Sequence, residues 1–514
     1  MTTVEIVKRL GSEDLRPTTK SILSLFAKNF SYLPTQTSPV SRLPNELLSS
    51  IFLYAIRSTD DRFETVTTPI IASQVSTRWR DIAISTAKLW NTIILTYPTS
   101  KQQLSRAVTW LKRSKLAPLD IFLDFRDPSW DWDSAESSHK FRWQDMETII
   151  RLLMVHACRW KHFELFTDTW APIFTFLCYT RHIKSVPLLV SLSLHRCNAF
   201  FASKEATFAP VEMRMPIQLF GGRVLERLRQ VTLTGVHIDW STPLLCNLTR
   251  LEFRYLASDV VPSIVEFTSM LRECRDLRHL TILGRGPRID DNPVSSPSSL
   301  LAVSSASGCF SANVYAAIEL PHVTDFVFGF VDSDYALKLL AKFSFPALRK
   351  LTLEGLVGLD PLSQYDLDAA PLLDWLLSHN SLSKSTRTHG FPLSRIHSLK
   401  FIAINADTSI ISQFFNDLHE LDFLGLYKTR IDTLQALKVP MTNLSTNIPP
   451  CVTLTRLECH DIDFQVLVDC VLARGPLSRL NYVHLQPDAI SANNRERLLA
   501  AGVRILYDSK IPDH

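Results

Sequence analysis

Ser41-Arg-Leu-Pro-Asn-Glu-Leu-Leu-Ser-Ser-Ile-Phe52 is the stretch on which the reading of the chain turns, together with its continuation through Val75-Ser-Thr-Arg-Trp-Arg80 to Leu89-Trp90. Pro44 suits the first turn of a helix, where its missing N–H is not needed. Leu47, Leu48, Ile51, Phe52 and Ala55 then recur at helical spacing. Ile71, Val75, Trp79 and Ile82 follow at intervals of four, four and three, which predicts a second helix. Ser85 or Thr86 is placed to cap a short third helix carrying Leu89 and Trp90. A unit of about fifty residues sits near the lower size limit for independent folding. If four or five of its large apolar side chains face outward, covering them contributes roughly 6–12 kcal/mol, at about 1.5–3 each and as an upper bound. Such a face calls for a partner, either another protein or the rest of this chain.

The ordered set Leu43-Pro44, Glu46-Leu47-Leu48, Ile51-Phe52, Val75, Trp79-Arg80, Ile82-Ala83, Ser85-Thr86 and Leu89-Trp90 resembles the F-box. Two features depart from the pattern. Arg57–Ile70 is long and polar and reads as a lengthened loop, as in some fungal relatives, and Ser76-Thr77 stand where many relatives have a cysteine and a basic residue. The resemblance implies a domain that docks a substrate receptor onto the Skp-type adaptor of a cullin-based ubiquitin ligase. On that expectation Leu43, Pro44, Leu47, Leu48, Ile51 and Phe52 form the docking face, while Val75 and Trp79 are divided between that face and the unit's own core.

Beyond Trp90 the pattern changes. Thr92–Tyr97 and Leu119–Phe125 read as strands, and Leu104–Lys115 and Gln144–Cys158 as helices, with a polar, Trp-rich loop at Asp127–His139. From there one phrase recurs: apolar, two residues, apolar, one residue, apolar. It runs from Trp160/Phe163/Leu165 and Leu189/Leu192/Leu194 through Leu228/Val231/Leu233, Leu248/Leu251/Phe253, Leu277/Leu280/Ile282, Val323/Phe326/Phe328 and Leu348/Leu351/Leu353. It continues at Ile396/Leu399/Phe401, Leu418/Leu421/Phe423, Leu454/Leu457/Cys459 and Leu480/Val483/Leu485. Successive starts lie from 20 residues apart (Leu228 to Leu248) to 48 (Leu348 to Ile396). Helical stretches at Ile264–Cys274, Tyr335–Phe343, Leu372–Ser378 and Phe464–Ala473 fill several intervals.

This phrase resembles leucine-rich repeats of the irregular, ribonuclease-inhibitor-like kind, in which each repeat buries its apolar side against its neighbours. The expected fold class is therefore α+β. A flexible arm at 1–40 leads into a small all-α F-box-like domain at 41–91. An irregular α/β leucine-rich-repeat solenoid follows at 92–508, with a frayed tail at 509–514. Near the end, helix Asn493–Ala501 runs through Gly502, suited to a C′ position, into strand Val503–Tyr507. The Ser-rich stretch Asp290–Ser311 and the stretch Asn380–Gly390 read as solvated loops.

Composition bounds the remaining classes. The 55 basic residues against 51 acidic ones give a net charge of +4, without the concentrated basic face that nucleic acid calls for. No apolar run reaches membrane-spanning length, and the N-terminus lacks a signal-peptide pattern, so neither a nucleic-acid nor a membrane partner is expected. The odd count of nine scattered cysteines fits reduced thiols and a cytoplasmic or nuclear protein. Gly221-Gly222 and Gly284-Arg-Gly286 lack the strand–glycine–helix setting of a phosphate loop, and Cys451, Cys459, His460 and Cys470 lack zinc-hook spacing. No enzyme activity, cofactor or metal is expected. Basic residues recur near the strand starts, including Arg229, Arg250, Arg278 and Arg349, and suggest a stripe. With Glu252, Lys400, Asp422 and Glu458 from the strand middles they make up the candidate substrate-binding set.

The reading that results is the substrate-recognition subunit of a Skp–cullin–F-box ubiquitin ligase, holding the adaptor with its F-box and an unknown target protein with its repeats. The alternative is a non-ligase repeat scaffold whose helical unit is an N-terminal cap.

Overall fold

In the computed structural model, residues 39–59, 61–132, 134–183, 185–198, 207–289, 318–356, 367–380, 391–438, 449–474, 478–486 and 490–507 are described. The expectations for the N-terminal arm before Pro39, for the tail, for Asp290–Ser311 and for Asn380–Gly390 beyond Asn380 lie outside them. The chain divides into two compact units, Met1–Thr92 with Leu111–Lys115, and Ile93–Trp110 with Leu116–His514.

The first unit is helical. A 3-10 turn at Pro39–Arg42 leads into α1 (Asn45–Arg57), followed by α2 (Arg62–Val75) and α3 (Thr77–Ser85). The expected lengthened loop at Arg57–Ile70 is mostly helix. Asp61 starts α2 by accepting from the Phe63 amide at 2.8 Å. The threonines that make the stretch look loop-like turn their hydroxyls back on the helix, Thr65 to Arg62 O (2.6 Å) and Thr68 to Glu64 O (2.8 Å). The expected single helix through Ile71, Val75, Trp79 and Ile82 is broken at Ser76. That residue is extended, and its side chain caps α3 by accepting from the Trp79 amide at 3.2 Å. Ser76 thus has a local role at this break. The third helix reduces to a 3-10 turn, Ala87–Leu89, and the Trp90 indole N–H closes the unit on Ala83 O at 2.7 Å.

The second unit is a repeat-like parallel sheet with helices. Its strands are β1 (Thr92–Thr96), β2 (Leu119–Asp124), β3 (Trp160–Thr167), β4 (Ser191–Arg196), β5 (Gln230–Thr234), β6 (Arg250–Arg254) and β7 (His279–Leu283). They continue as β8 (Asp325–Phe330), β9 (Lys350–Gly355), β10 (Ser398–Ile402), β11 (Phe423–Tyr427), β12 (Arg456–His460), β13 (Tyr482–Leu485) and β14 (Arg504–Tyr507). All fourteen lie in chain order in one sheet, and the registers from β2 onward are parallel.

The register aligns the recurring apolar pairs. Phe163, Leu192, Val231, Leu251, Leu280, Phe326, Leu351, Leu399, Leu424, Leu457 and Val483 stand side by side across the sheet, and all are buried. One copy of the phrase shifts by three residues from its expected place. The repeat around β11 is Leu421/Leu424/Leu426, so Phe423 begins the strand instead of ending the phrase.

Helices return the chain between strands: α4 (Lys101–Arg113), α5 (Trp143–Met154), α6 (Trp170–Thr180), α7 (Ile264–Glu273), α8 (Ser333–Leu340) and α9 (Ala370–Ser378). α10 (Thr408–Asn416), α11 (Ile431–Gln435), α12 (Phe464–Ala473) and α13 (Ala492–Ala500) complete the set among the described residues. None of them is long and apolar enough to cross a membrane. They cover the apolar face of the sheet, as the ring contacts Phe163–Phe176 (4.8 Å), Phe253–Phe267 (5.7 Å) and Phe401–Phe414 (5.8 Å) show. Gly502, at φ +82, ends α13 as expected.

A left-handed residue follows many strands: Gly235, Tyr255, Gly284, Ala403, Lys428 and Asp461. The N–H groups of the first five reach a carbonyl at the end of the next strand, as Tyr255 does to Leu283 O at 2.7 Å and Ala403 to Tyr427 O at 2.8 Å.

The Trp-rich loop Asp127–His139 is tied to the ends of β3 and β4 by buried charge. Asp168 accepts from the Asp127 amide (2.7 Å) and from His139 Nε2 (3.1 Å). Glu136 accepts from the Trp170 amide (2.9 Å), Arg196 Nε (3.1 Å) and Asn198 (3.1 Å). Burial pulls the His139 pKa down, but hydrogen bonding to Asp168 and to Phe141 O outweighs it and leaves the pKa raised. Folding therefore favours the imidazolium. Its stabilisation is complete below the unfolded value of about 6.5 and fades as pH climbs through the higher folded value. Thermal melting across this range should decline on the alkaline side for the wild type, and His139→Gln should flatten that decline.

Candidate functional site

The helical unit presents two apolar stripes on a single helix. In α1, Leu48, Phe52 and Ile56 turn inward, with Leu48 at 1% and Phe52 at 4% exposure. Leu47, Ile51 and Tyr54, one step round the helix, turn outward at 51%, 50% and 74%. Residues spaced by three and four share a face, so a run of adjacent apolar residues makes two faces at once. Pro44 is exposed and Leu43 partly so. At the end of α2, Val75 is 56% exposed. Trp79 is half-buried against Phe52, ring centroids 4.9 Å apart.

The expected docking set is therefore corrected at two positions. Leu48 and Phe52 belong to the unit's own core, because their stripe faces α2 and α3. Of the expected set, Pro44, Leu47, Ile51 and Val75 are exposed, Leu43 is partly so, and Trp79 packs on Phe52.

Sequence patterning gives no hint of the part played by Arg78. Its guanidinium donates to Ser41 O (Nη1, 2.6 Å), to Leu43 O (Nη2) and twice to Asn45 Oδ1 (Nε 3.0 Å, Nη2 2.9 Å). No periodicity signals a side chain whose partners lie 33 to 37 residues upstream.

The candidate substrate set is scattered. Parallel register places Arg250, His279, Asp325, Lys350 and Arg456 in one row, whereas Arg229, Arg278 and Arg349 fall one residue earlier. The expected continuous basic stripe is thus split, and part of it is paired with carboxylates. Lys350 and His279 both face Asp325 at 3.3 Å, and Arg349 meets Glu420 at 3.4 Å. Arg229 donates to Glu226 O and Leu228 O, both at 2.8 Å, and Arg278 is exposed. Glu252 is buried between Arg250 (2.5 Å) and Arg254 (2.9 Å), which removes it as a free contact.

Asp422 is not a strand-middle residue, because the phrase around β11 is shifted. It precedes the strand and accepts from the Thr455 hydroxyl and from Arg456 at 2.6 Å, which together hold its carboxyl below the usual range. Gly425 occupies the middle of β11. Lys400 and Glu458 do stand on strand middles and are linked through aromatic rings. Lys400 Nζ donates to Tyr427 OH (3.1 Å) and lies over the Phe423 and Tyr427 rings. Tyr427 stacks on His460 (5.1 Å), which meets Glu458 at 3.2 Å. A β-carbon at Gly425 would come within 2.8 Å of the Tyr427 ring, so the glycine leaves room for this cluster.

Elsewhere on the same face His195 stacks on Phe166 at 4.3 Å. Burial, with Arg254 nearby, depresses its pKa to about 4, so the ring is neutral at physiological pH. Burial also pushes the thiols of Cys451 and Cys197 up to about 12 and that of Cys274 up to about 11, and the protonated thiol is a poor nucleophile.

Residues 40–96 match the F-box-like family model, and the chain carries an F-box-like domain there. No curated protein matches the chain. Among solved structures, the chain is similar to the crystal structure of a Rad7 and Elc1 complex in yeast, with 12% identity and a TM-score of 0.33, over 96% of this chain and 98% of that one.

Proposed function

We propose that this protein is a substrate receptor of a Skp–cullin–F-box ubiquitin ligase. The observation that carries the reading is the outward stripe of Leu47 and Ile51, with Pro44 and Val75, on an F-box-like domain. Such a stripe is solvated at a cost in the free unit, and covering it with an adaptor helix removes that cost. The repeat region, taken as a leucine-rich-repeat solenoid, holds a target protein. The complex supplies cullin and the ubiquitin-charged enzyme. The receptor makes and breaks no bond; it raises the local concentration of a target lysine. Work of this kind belongs in the cytoplasm or nucleus.

Co-purification with a Skp-type adaptor tests the reading. The full-length wild type is expected to bind, and Leu47→Asp/Ile51→Asp is expected to lose at least about a hundredfold in affinity, since each buried unpaired charge costs well over the ~1.4 kcal/mol of a tenfold change. Because both side chains are half in water, the substitution should leave the fold intact. A folded wild type that ignores the adaptor would refute the ligase reading and favour a repeat scaffold.

A further inference from the structure

The segment that begins the docking face is bound by a side chain from another helix. The N-cap residue of α1 is Pro44, whose side chain makes no capping hydrogen bond. The Leu43 amide reaches only Val40 O, at 3.2 Å, across the 3-10 turn. The carbonyls of Ser41 and Leu43 both accept from one side chain. The donor is Arg78 in the first turn of α3, which also donates twice to the Asn45 side chain at the first residue of α1. One planar fork thus binds three residues on both sides of Pro44. A lysine, with a single nitrogen, cannot reproduce that geometry.

We propose that Arg78 is a positioning residue for adaptor docking. It fixes the angle at which Leu43 and Pro44 enter α1, so that Pro44, Leu47 and Ile51 are presented as one preformed surface. Preorganisation of this sort strengthens binding by removing ordering costs that would otherwise fall at the moment of association. The inference rests on the docking reading given above.

The test compares the full-length wild type with Arg78→Met, Arg78→Lys and Asn45→Ala. Two quantities are measured: affinity for a Skp-type adaptor, and amide hydrogen exchange across residues 40–48 and across α2 and α3. Arg78→Met is expected to speed exchange in 40–48 and weaken adaptor binding about tenfold, while α2 and α3 stay protected. Arg78→Lys should fall between it and the wild type. Asn45→Ala, which removes the acceptor of two of the four bonds, should show the same two effects in smaller measure. If Arg78→Met unfolds all three helices, Asn45→Ala decides. Faster exchange with undiminished affinity, or unchanged exchange in both variants, overturns the proposal and leaves the docking reading standing. A wild type that does not bind the adaptor overturns both.

Discussion

Phe52→Ala is expected to destabilise the helical unit by about 3–5 kcal/mol, while Ile51→Ala, its neighbour in the chain, should change stability by no more than about 0.5 kcal/mol. The two side chains are similar in chemistry and differ in the stripe they occupy. Phe52 packs on Trp79 and is almost wholly buried, so truncation leaves a cavity in a small core. Ile51 is half in water, and its truncation opens no enclosed cavity. A unit of this size has little stability to spare, so Phe52→Ala should leave α1–α3 largely unprotected against hydrogen exchange. Adaptor binding should respond to both substitutions for different reasons: Phe52→Ala through loss of fold, Ile51→Ala through loss of contact alone. Equal stability losses for the two would contradict the assignment of the stripes.

Arg196→Ala should cost about 3–5 kcal/mol in the second unit, because it leaves the Glu136 carboxylate without its buried partner. Arg196 also lies over the Phe208 ring at 5.4 Å, so the substitution removes packing as well as charge. Arg196→Met/Glu136→Gln should recover most of the loss. Neither side chain then carries an unpaired charge, and the neutral amide introduced by Glu136→Gln would keep an acceptor for the Trp170 N–H. A thermodynamic cycle of the two singles and the double, followed by denaturant unfolding, measures the coupling. Additive losses would mean that the pair contributes nothing beyond its separate contacts.

The helical unit is legible in the sequence because its apolar residues recur at close intervals. The decision between inward and outward stripes is not, because Leu47-Leu48 and Ile51-Phe52 offer both faces the same chemistry, and only the placement of α2 and α3 decides. The start of α2 is hidden by threonines and Pro69, which disfavour helix locally but are accommodated by back-bonded hydroxyls. In the sheet, the spacing of apolar pairs locates most strands. It misplaces β11, where Leu418, Leu421, Leu424 and Leu426 satisfy the phrase in two registers. α6 escapes notice because Trp170, Ile173, Phe176 and Leu177 are all fully buried and the helix has no polar face to create a period. The candidate substrate set fails for a related reason. Charge can be read along a sequence, but pairing across strands depends on a register that a one-residue shift overturns. The ties on the Trp-rich loop, from Glu136 to Arg196 and from His139 to Asp168, are likewise invisible without the fold.

Strand order that follows chain order makes the second unit strict in register and tolerant in length. A slip of one residue would turn a whole row of buried leucines and phenylalanines toward water. By contrast, the widest step between paired strands whose register is described, from Lys350 in β9 to Ser398 in β10, is closed by the same kind of ladder as the narrowest, from Gln230 in β5 to Arg250 in β6. Doubling the chain between two such strands adds only about 0.6 kcal/mol of closure entropy. Such a framework can hold segments of very different length between its strands while the sheet itself keeps one register.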